Sequence, residues 1–318
     1  MRAIVMKSFG GPEVLELAEI PDPTPKGTSV VVDVTRAGVN FADVHARQNS
    51  YLQDLELPYT PGNEVVGTVG DGSSRRRVVA LPSGGGYAEK ALVRKGLMWE
   101  IPDDISDDTA AALALQGNSA WHILLTSGGL QEGQTVVIPA ASGGVGTIAV
   151  QLARQIGAKV IALASTEERR AAALDLGAHV ALDSSSTEGL AQRVREAAGG
   201  DVHLALEMTG GPMFDALLDT LGHRGRMVVY GYAGGQIPQV SVAPLLARSI
   251  TVSGFWLRSL FTDRQALPMS MQQLFGSVRS GHLKPVIGAT YGLADAAQAH
   301  RDIESRTTTG KLLIDTTR

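Results

Sequence analysis

One stretch, Thr135–Gly157 (TVVIPAASGGVGTIAVQLARQIG), restricts the fold of this chain more than any other. Thr135–Ile138 is a short apolar-rich run with no polar alternation, the pattern of a buried strand. Ala141-Ser142-Gly143-Gly144-Val145-Gly146 follows, and then apolar residues at Val145, Ile148, Ala149, Leu152 and Ile156 with helical spacing. Strand, small-residue turn and helix in this order make a dinucleotide-binding unit, with alanine in the first place of G-x-G-x-x-G. The small residues let backbone N–H groups approach a pyrophosphate, and the helix N-terminus favours negative charge. Gly143 is the residue expected to admit the pyrophosphate. A glycine-rich turn that serves only close helix–sheet packing is the competing reading.

With 318 residues the chain is long enough for about two domains, and 44% hydrophobic content supports large cores. A net charge of -4 gives no reason to expect nucleic acid as a partner. There is no cysteine, which excludes disulfides, thiolate metal ligands and a cysteine nucleophile. No run of 18 apolar residues occurs, and MRAIVMKSFG lacks the apolar core of a signal peptide. The expectation is a soluble, cytoplasmic protein with no membrane contact.

The first ~110 residues read as many short strands with Gly and Pro punctuation, the pattern of a small barrel-like domain. Strands are expected at Arg2–Met6, Leu15–Ile20, Ser29–Val34, Glu64–Val69, Arg77–Leu81 and Gly86–Val93, with a short helix at Phe41–Arg47. Arg75-Arg76-Arg77 is the only dense basic run, and it reads as a solvated loop before a strand. From Ser106, a helix-start signature, the pattern changes. Strands at Thr135–Ile138, Lys159–Leu163, His179–Leu182, Val202–Glu207, Met227–Tyr230 and Ile250–Ser253 alternate with helices, which implies a doubly wound parallel sheet. Beyond about residue 254 this rhythm breaks. The tail is expected to return to the first domain, so that residues 1–114 and 254–318 form one domain and residues 115–253 an inserted one.

The end of the second nucleotide-domain strand discriminates between dinucleotides, because a carboxylate there accepts from the adenosine 2′-hydroxyl of NAD. Here the strand ends in Ala164-Ser165-Thr166, with Arg169 and Arg170 one turn on. No carboxylate occupies the strand end and cations lie close by, which favours NADPH. Ser165 and Glu168 also have the spacing of a capping box.

The order of parts resembles the medium-chain dehydrogenase/reductase superfamily, and within it the zinc-independent quinone oxidoreductase (zeta-crystallin-like) branch and its enoyl-reductase relatives. The resemblance covers nearly the whole chain. It rests on the opening MRAIVMKSFGGPEVLEL, AGVNFADVHARQNSY at 37–51, PGNEVVGTV at 61–69, AASGGVG at 140–146 and ESRTTTGKLLI at 304–314. It implies an α/β protein: a GroES-like β-rich catalytic domain carrying an inserted Rossmann-type sheet. Asn40 and Asn63 stand where zinc-dependent relatives place cysteine and histidine, so Glu64 alone remains and no metal is expected. His45 and His122 read as surface or capping histidines.

The resemblance also implies roles. Asn40 is expected near the nicotinamide, donating its amide to substrate or cofactor. Tyr51 lies at the substrate cleft, as a proton donor or a pocket wall. Ser119, Gly231, Phe255 and Trp256 are expected around the nicotinamide and the substrate mouth. Arg306, with Lys311 as a second cation, is expected at the 2′-phosphate. Ser184 stands where the family has a tyrosine near that phosphate, and the loop Gly70–Arg77 is short for the family.

Without zinc, the substrate is expected to carry its own electron sink, such as a quinone or an enone. The reading is an NADPH-dependent quinone reductase. An enoyl or enone reductase that saturates a conjugated carbon–carbon bond is the alternative, and a non-catalytic nucleotide-binding protein is a third. The family analogy also implies a homodimer formed through the edge strand Ile250–Ser253 and its apolar sequel Gly254–Leu257.

Overall fold

The computed structural model describes residues 1–50, 52–70 and 72–318, and all of their side chains except that of Ser73. The chain forms two compact units. The first gathers Met1–Leu115, Asp263–Arg279 and Pro285–Arg318, and the second Gln116–Thr262 and Ser280–Lys284. Residues 254–262 and 280–284, expected with the first domain, thus lie with the second.

The first unit opens with the antiparallel pair β1 (Arg2–Val5) and β2 (Glu16–Glu19). Then come β3 (Ser29–Val39), α1 (Phe41–Arg47), β4 (Val65–Val69), β5 (Arg76–Ala80), β6 (Lys90–Arg94), β7 (Met98–Glu100) and α2 (Asp107–Ala110). Ser106 caps α2, its side chain accepting from Thr109 N–H. β3 runs five residues past its expected end, through Ala37-Gly38-Val39. Its first half pairs with β6 and its second half faces the chain's last strand. The basic run is spent structurally: Arg77 Nη2 bonds Asp107 Oδ1 at 2.6 Å and Ile105 O at 2.7 Å, and Arg75 Nε donates to Thr68 at 2.8 Å.

The second unit starts with α3 (Asn118–Trp121), continued by a wider helical turn over His122–Thr126. Six strands follow: β8 (Thr135–Ile138), β9 (Lys159–Ala164), β10 (Val180–Asp183), β11 (Val202–Glu207), β12 (Leu221–Val229) and β13 (Thr251–Gly254). All pairings are parallel, in the order β10-β9-β8-β11-β12-β13. The connecting helices are α4 (Gly144–Ile156), α5 (Glu167–Asp175), α6 (Leu190–Ala198), α7 (Pro212–Thr220) and α8 (Val242–Arg248). Val136, Val137, Val160, Ile161, Leu204 and Ala205 are fully buried, as a sheet covered on both faces requires. β12 starts six residues before its expected position, because Leu221 pairs with Val202 ahead of a register shift at Gly222–Gly225.

The chain then completes the first unit with α9 (Ala266–Arg279), β14 (Ile287–Gly292), α10 (Ala296–Glu304) and β15 (Lys311–Asp315). The sheet order there is β14-β15-β3-β4-β5-β7, with β6 on the first half of β3. Between α9 and β14, Ser280–Lys284 joins the second unit. Gln151 on α4 holds it by a reciprocal pair, donating to Lys284 O at 3.1 Å and accepting from Lys284 N–H at 2.8 Å.

Candidate active site

In the parallel sheet, the expected cofactor residues follow the C-terminal ends of the strands. Chain order reverses between β8 and β11, and ligands of open parallel sheets bind at such a switch point. The turn Ala141–Gly146 leaves β8, and Ala141 N–H donates to Leu163 O at the end of β9. Ala140 enters the turn with φ +47°, a left-handed conformation that costs a non-glycine residue energy. Gly143 is the N-cap of α4, and the first helical bond runs from Thr147 N–H to Gly143 O. The N–H groups of Gly144, Val145 and Gly146 therefore have no helical acceptor and form the cradle that suits a phosphate.

The steric constraint falls on other glycines than Gly143. A Cβ on Gly146 would lie 2.2 Å from Ala140 O, and one on Gly144 would lie 2.0 Å from the Gln116 side chain. On Gly143 the nearest atom is Ala140 O at 3.2 Å. Gly146 is thus the position that close packing of turn and helix demands, while Gly143 keeps its approach to a ligand open.

At the next strand ends, Arg169 Nη1 reaches Ser165 Oγ at 3.4 Å, and Ser184 N–H bonds Ala164 O at 3.3 Å. The expected capping box at Ser165 gives way to a cap one residue later. Thr166 is the N-cap of α5 and accepts from Arg169 N–H, because β9 extends through Ala164. Ser165 keeps its hydroxyl exposed beside Arg169. Arg170, by contrast, is spent on Asp183 Oδ1 at 3.3 Å. Gly231 follows β12. Phe255 N–H continues the ladder to Val229 O at 2.8 Å, and the Phe255 ring stacks on His122 at 6.2 Å. Ser119 and His122 are buried, and Trp256 lies 5.9 Å from the Arg258 guanidinium.

Sequence reading passed over one residue at this edge. Glu207 closes β11 fully buried, with Oε1 accepting from Thr209 N–H at 2.7 Å and Gly210 N–H at 2.9 Å. Its Oε2 is buried without a partner. Burial raises the carboxyl above its ordinary range, while the N–H donors oppose the shift. The signal was available, since a lone carboxylate ends the apolar run VHLALE.

The first unit buries a second polar group. Asn40 caps α1, and its backbone N–H donates to Asp43 Oδ2 at 3.0 Å. Asn40 Oδ1 accepts from Lys311 Nζ at 2.8 Å, and the same ammonium sits 2.5 Å from Glu64 Oε2. Leu115 N–H bonds the other Glu64 oxygen at 2.6 Å. This corrects the expectation for Lys311. It is 1% exposed and its charge is committed to a buried carboxylate, so it is no phosphate ligand. Gly38 makes room for the pair, since a Cβ there would lie 2.4 Å from Glu64 Oε2 and 2.6 Å from Lys311 Nζ.

A chain of bonds continues inward. Asn63 Nδ2 donates to Asp43 Oδ1 at 2.7 Å, and the Tyr87 hydroxyl donates to Asp43 Oδ2 at 3.3 Å. His300 Nε2 meets Tyr87 Oη at 3.2 Å, and Arg47 Nη1 meets His300 Nδ1 at 3.5 Å. Arg47 also pairs with Glu304 at 2.8 Å. The bonds from Arg47 Nη1, His300 and Tyr87 run in one direction if His300 is neutral with its proton on Nε2, while Arg47 Nε is buried without a partner. Burial, helped by Arg47, pulls the His300 ring down to about 3, whereas burial lifts the Asp43 carboxyl to about 6.

The Asn40–Glu64 group does not fit zinc. Its donors are two carboxamides and one carboxylate, and the Lys311 ammonium already supplies the cation between Asn40 and Glu64. Elsewhere His45 bonds Ser50 at 3.1 Å and His122 bonds Thr126 at 2.8 Å. Among the described residues, no three His, Asp or Glu side chains converge as a metal-holding group. Arg306, on the first unit, is exposed with φ +55°. Tyr51 lies outside the described residues.

The family models match these two regions. That of the alcohol dehydrogenase GroES-like domain covers residues 26–103, and that of the zinc-binding dehydrogenases covers residues 144–275. Human quinone oxidoreductase is 31% identical over 99% of this chain and 97% of its own length. Escherichia coli quinone oxidoreductase, solved in complex with NADPH, superposes with a TM-score of 0.93 at 30% identity, covering 99% of this chain and 100% of that one. Mycobacterial Rv1454c, also solved with NADPH, gives 0.93 at 34% identity over 99% of each chain. The chain belongs to the medium-chain dehydrogenase/reductase superfamily, in its zinc-independent quinone oxidoreductase branch. It is an oxidoreductase of that branch. Among the described residues no helix is long and apolar enough to cross a membrane.

Proposed function

We propose that the chain reduces a quinone with NADPH as the hydride donor. One observation carries the reading: the C-terminal sheet edge joins N–H groups at Gly144–Gly146 that lack a helical acceptor to a strand end where the Arg169 guanidinium reaches Ser165 and, among the described residues, no carboxylate. The turn is suited to the pyrophosphate, and Ser165, Thr166 and Arg169 to the 2′-phosphate. By resemblance to the family we also assign Arg306 to phosphate binding. NADPH supplies the hydride. On the substrate side, Asn40 is held by Lys311, and Tyr51 is the residue we assign to the oxygen on which charge develops. The relatives solved with NADPH support the cofactor, and the relatives named quinone oxidoreductase support the acceptor.

We assign the first unit to substrate and the second unit to cofactor. We also propose a homodimer. Among the described residues edge strand β13 has a free side, and Ile237 in the connection from β12 to α8 and Val242 and Leu246 on α8, the helix that precedes β13, are 74%, 67% and 79% exposed.

NADPH consumption with a 1,4-quinone and with a 2-alkenal, with product analysis, tests the reading. Turnover of the quinone alone supports it. Clean saturation of the alkenal carbon–carbon bond makes the protein an enone reductase, and binding without turnover a nucleotide-binding protein. Arg169→Ala or Arg306→Ala is expected to weaken NADPH about tenfold or more and NADH little. Equal losses for both cofactors would overturn the assignment of NADPH.

A further inference from the structure

The opposite end of the parallel sheet carries a second concave, basic site. Gln134 ahead of β8, His203 on β11, Arg226 on β12 and Thr251 on β13 line a cavity of about 500 Å³. His223 and Arg224 overhang it from the irregular stretch Gly222–Gly225 within β12. The strands run from this end to the nucleotide turn, and at about 3.3 Å per residue Arg226–Val229 alone separates the two ends by roughly 10 Å.

Three observations mark the cavity as built for a ligand. The first is charge without a counter-charge. Among the described residues neither Arg224 nor Arg226 pairs with a carboxylate; Arg226 Nη2 donates only to the neutral Gln134 Oε1, at 2.7 Å. The second is an unpartnered donor: Arg226 Nε is buried with no hydrogen-bond partner, and such a group costs free energy until an acceptor arrives. His203 adds another donor, since its Nδ1 accepts from Thr135 N–H at 3.1 Å and the neutral ring then carries its proton on Nε2. The third is backbone conformation. Arg224 (φ 59°), on the cavity wall, holds a left-handed conformation that glycine adopts far more readily.

We infer that this cavity binds a small, multiply charged oxyanion, a phosphoryl or polycarboxylate group, seated between the Arg224 and Arg226 guanidiniums. Planar forks of this kind bond such oxygens in pairs.

Isothermal titration calorimetry of the intact protein tests this, with inorganic phosphate, citrate and singly charged acetate at matched ionic strength. Saturable binding of phosphate or citrate, one per chain and absent for acetate, is expected. Response to phosphate alone assigns a phosphoryl ligand, and response to citrate alone a polycarboxylate. Arg224→Gln and Arg226→Gln are each expected to weaken it at least tenfold, and Arg169→Ala, at the other end of the sheet, to leave it unchanged. Arg224 is exposed where the β12 register shifts, so its variant carries the test even if Arg226→Gln fails to fold. No saturable heat with either anion, binding that survives Arg224→Gln, or binding lost in Arg169→Ala overturns the inference.

Discussion

Lys311 and Glu64 form a fully buried ion pair that also fixes the carboxamide of Asn40. Removing one partner of such a pair leaves an uncompensated charge, which costs about 3–5 kcal/mol. Lys311→Met is therefore expected to lower stability by that amount in urea unfolding. Adding Glu64→Gln is expected to restore most of it, and a double-mutant cycle measures the coupling. His300 gives a pH-dependent counterpart. Its ring has an ordinary value of 6.5 and about 3 in the fold. Above pH 6.5 neither state is protonated and its contribution is complete. As pH falls, the unfolded chain takes a proton that the native state refuses, so stability drops. Asp43 works in the opposite sense: lifted to about 6, it retains a proton in the fold that the unfolded chain releases, and its contribution weakens as pH rises toward 6. Comparing wild type with His300→Gln cancels Asp43. From pH 7 to 4.5 the wild type is expected to lose about 2–3 kcal/mol more than the variant. None of this chain of bonds was legible at Lys311, which in TTTGKLLI looks like any exposed cation near a turn. Its burial depends on Glu64, 247 positions earlier.

The start of α4 shows what an element demands of its first residues. Gly146 packs 2.2 Å (measured to an added Cβ) from a backbone oxygen, and a backbone oxygen cannot swing aside as a side chain does. Gly146→Ala is expected to cost about 1–3 kcal/mol and to weaken NADPH more than tenfold by shifting the turn. Gly143→Ala is expected to have a smaller effect on stability. Melting temperature and cofactor titration separate the two. The motif told where strand, turn and helix lie, because residue spacing encodes them. Which glycine is sterically bound depends on Ala140, whose left-handed conformation the sequence does not print. A one-residue ambiguity of the same kind moved the α5 cap from Ser165 to Thr166, since serine and threonine serve equally and the length of β9 decides. The helix Phe41–Arg47, with local signals at both ends, has its expected limits.

At the scale of the whole molecule, alternation of strand and helix was enough to read a doubly wound sheet, and the break in that rhythm after residue 254 to read a returning tail. The detour of Ser280–Lys284 into the second unit was not readable, because it is made by distant contacts such as the Gln151–Lys284 bonds and the burial of Leu283. The proposed pairing of two copies along β13 has a direct check. Light scattering is expected to give a dimer for the wild type and a monomer for Val242→Asp/Leu246→Lys, and a monomeric wild type would refute it.

The place of β15 between β14 and β3 has a consequence for synthesis. The second unit leaves the ribosome with nearly all of its segments in hand, while the first waits, its sheet open along β3, until β15 emerges. Only then does the ammonium of Lys311 reach Glu64. The amino-terminal unit, made first, is the one that closes last, and a chain cut short at Gly310 would keep an unpaired strand edge and an unmatched carboxylate for a chaperone or a protease to find.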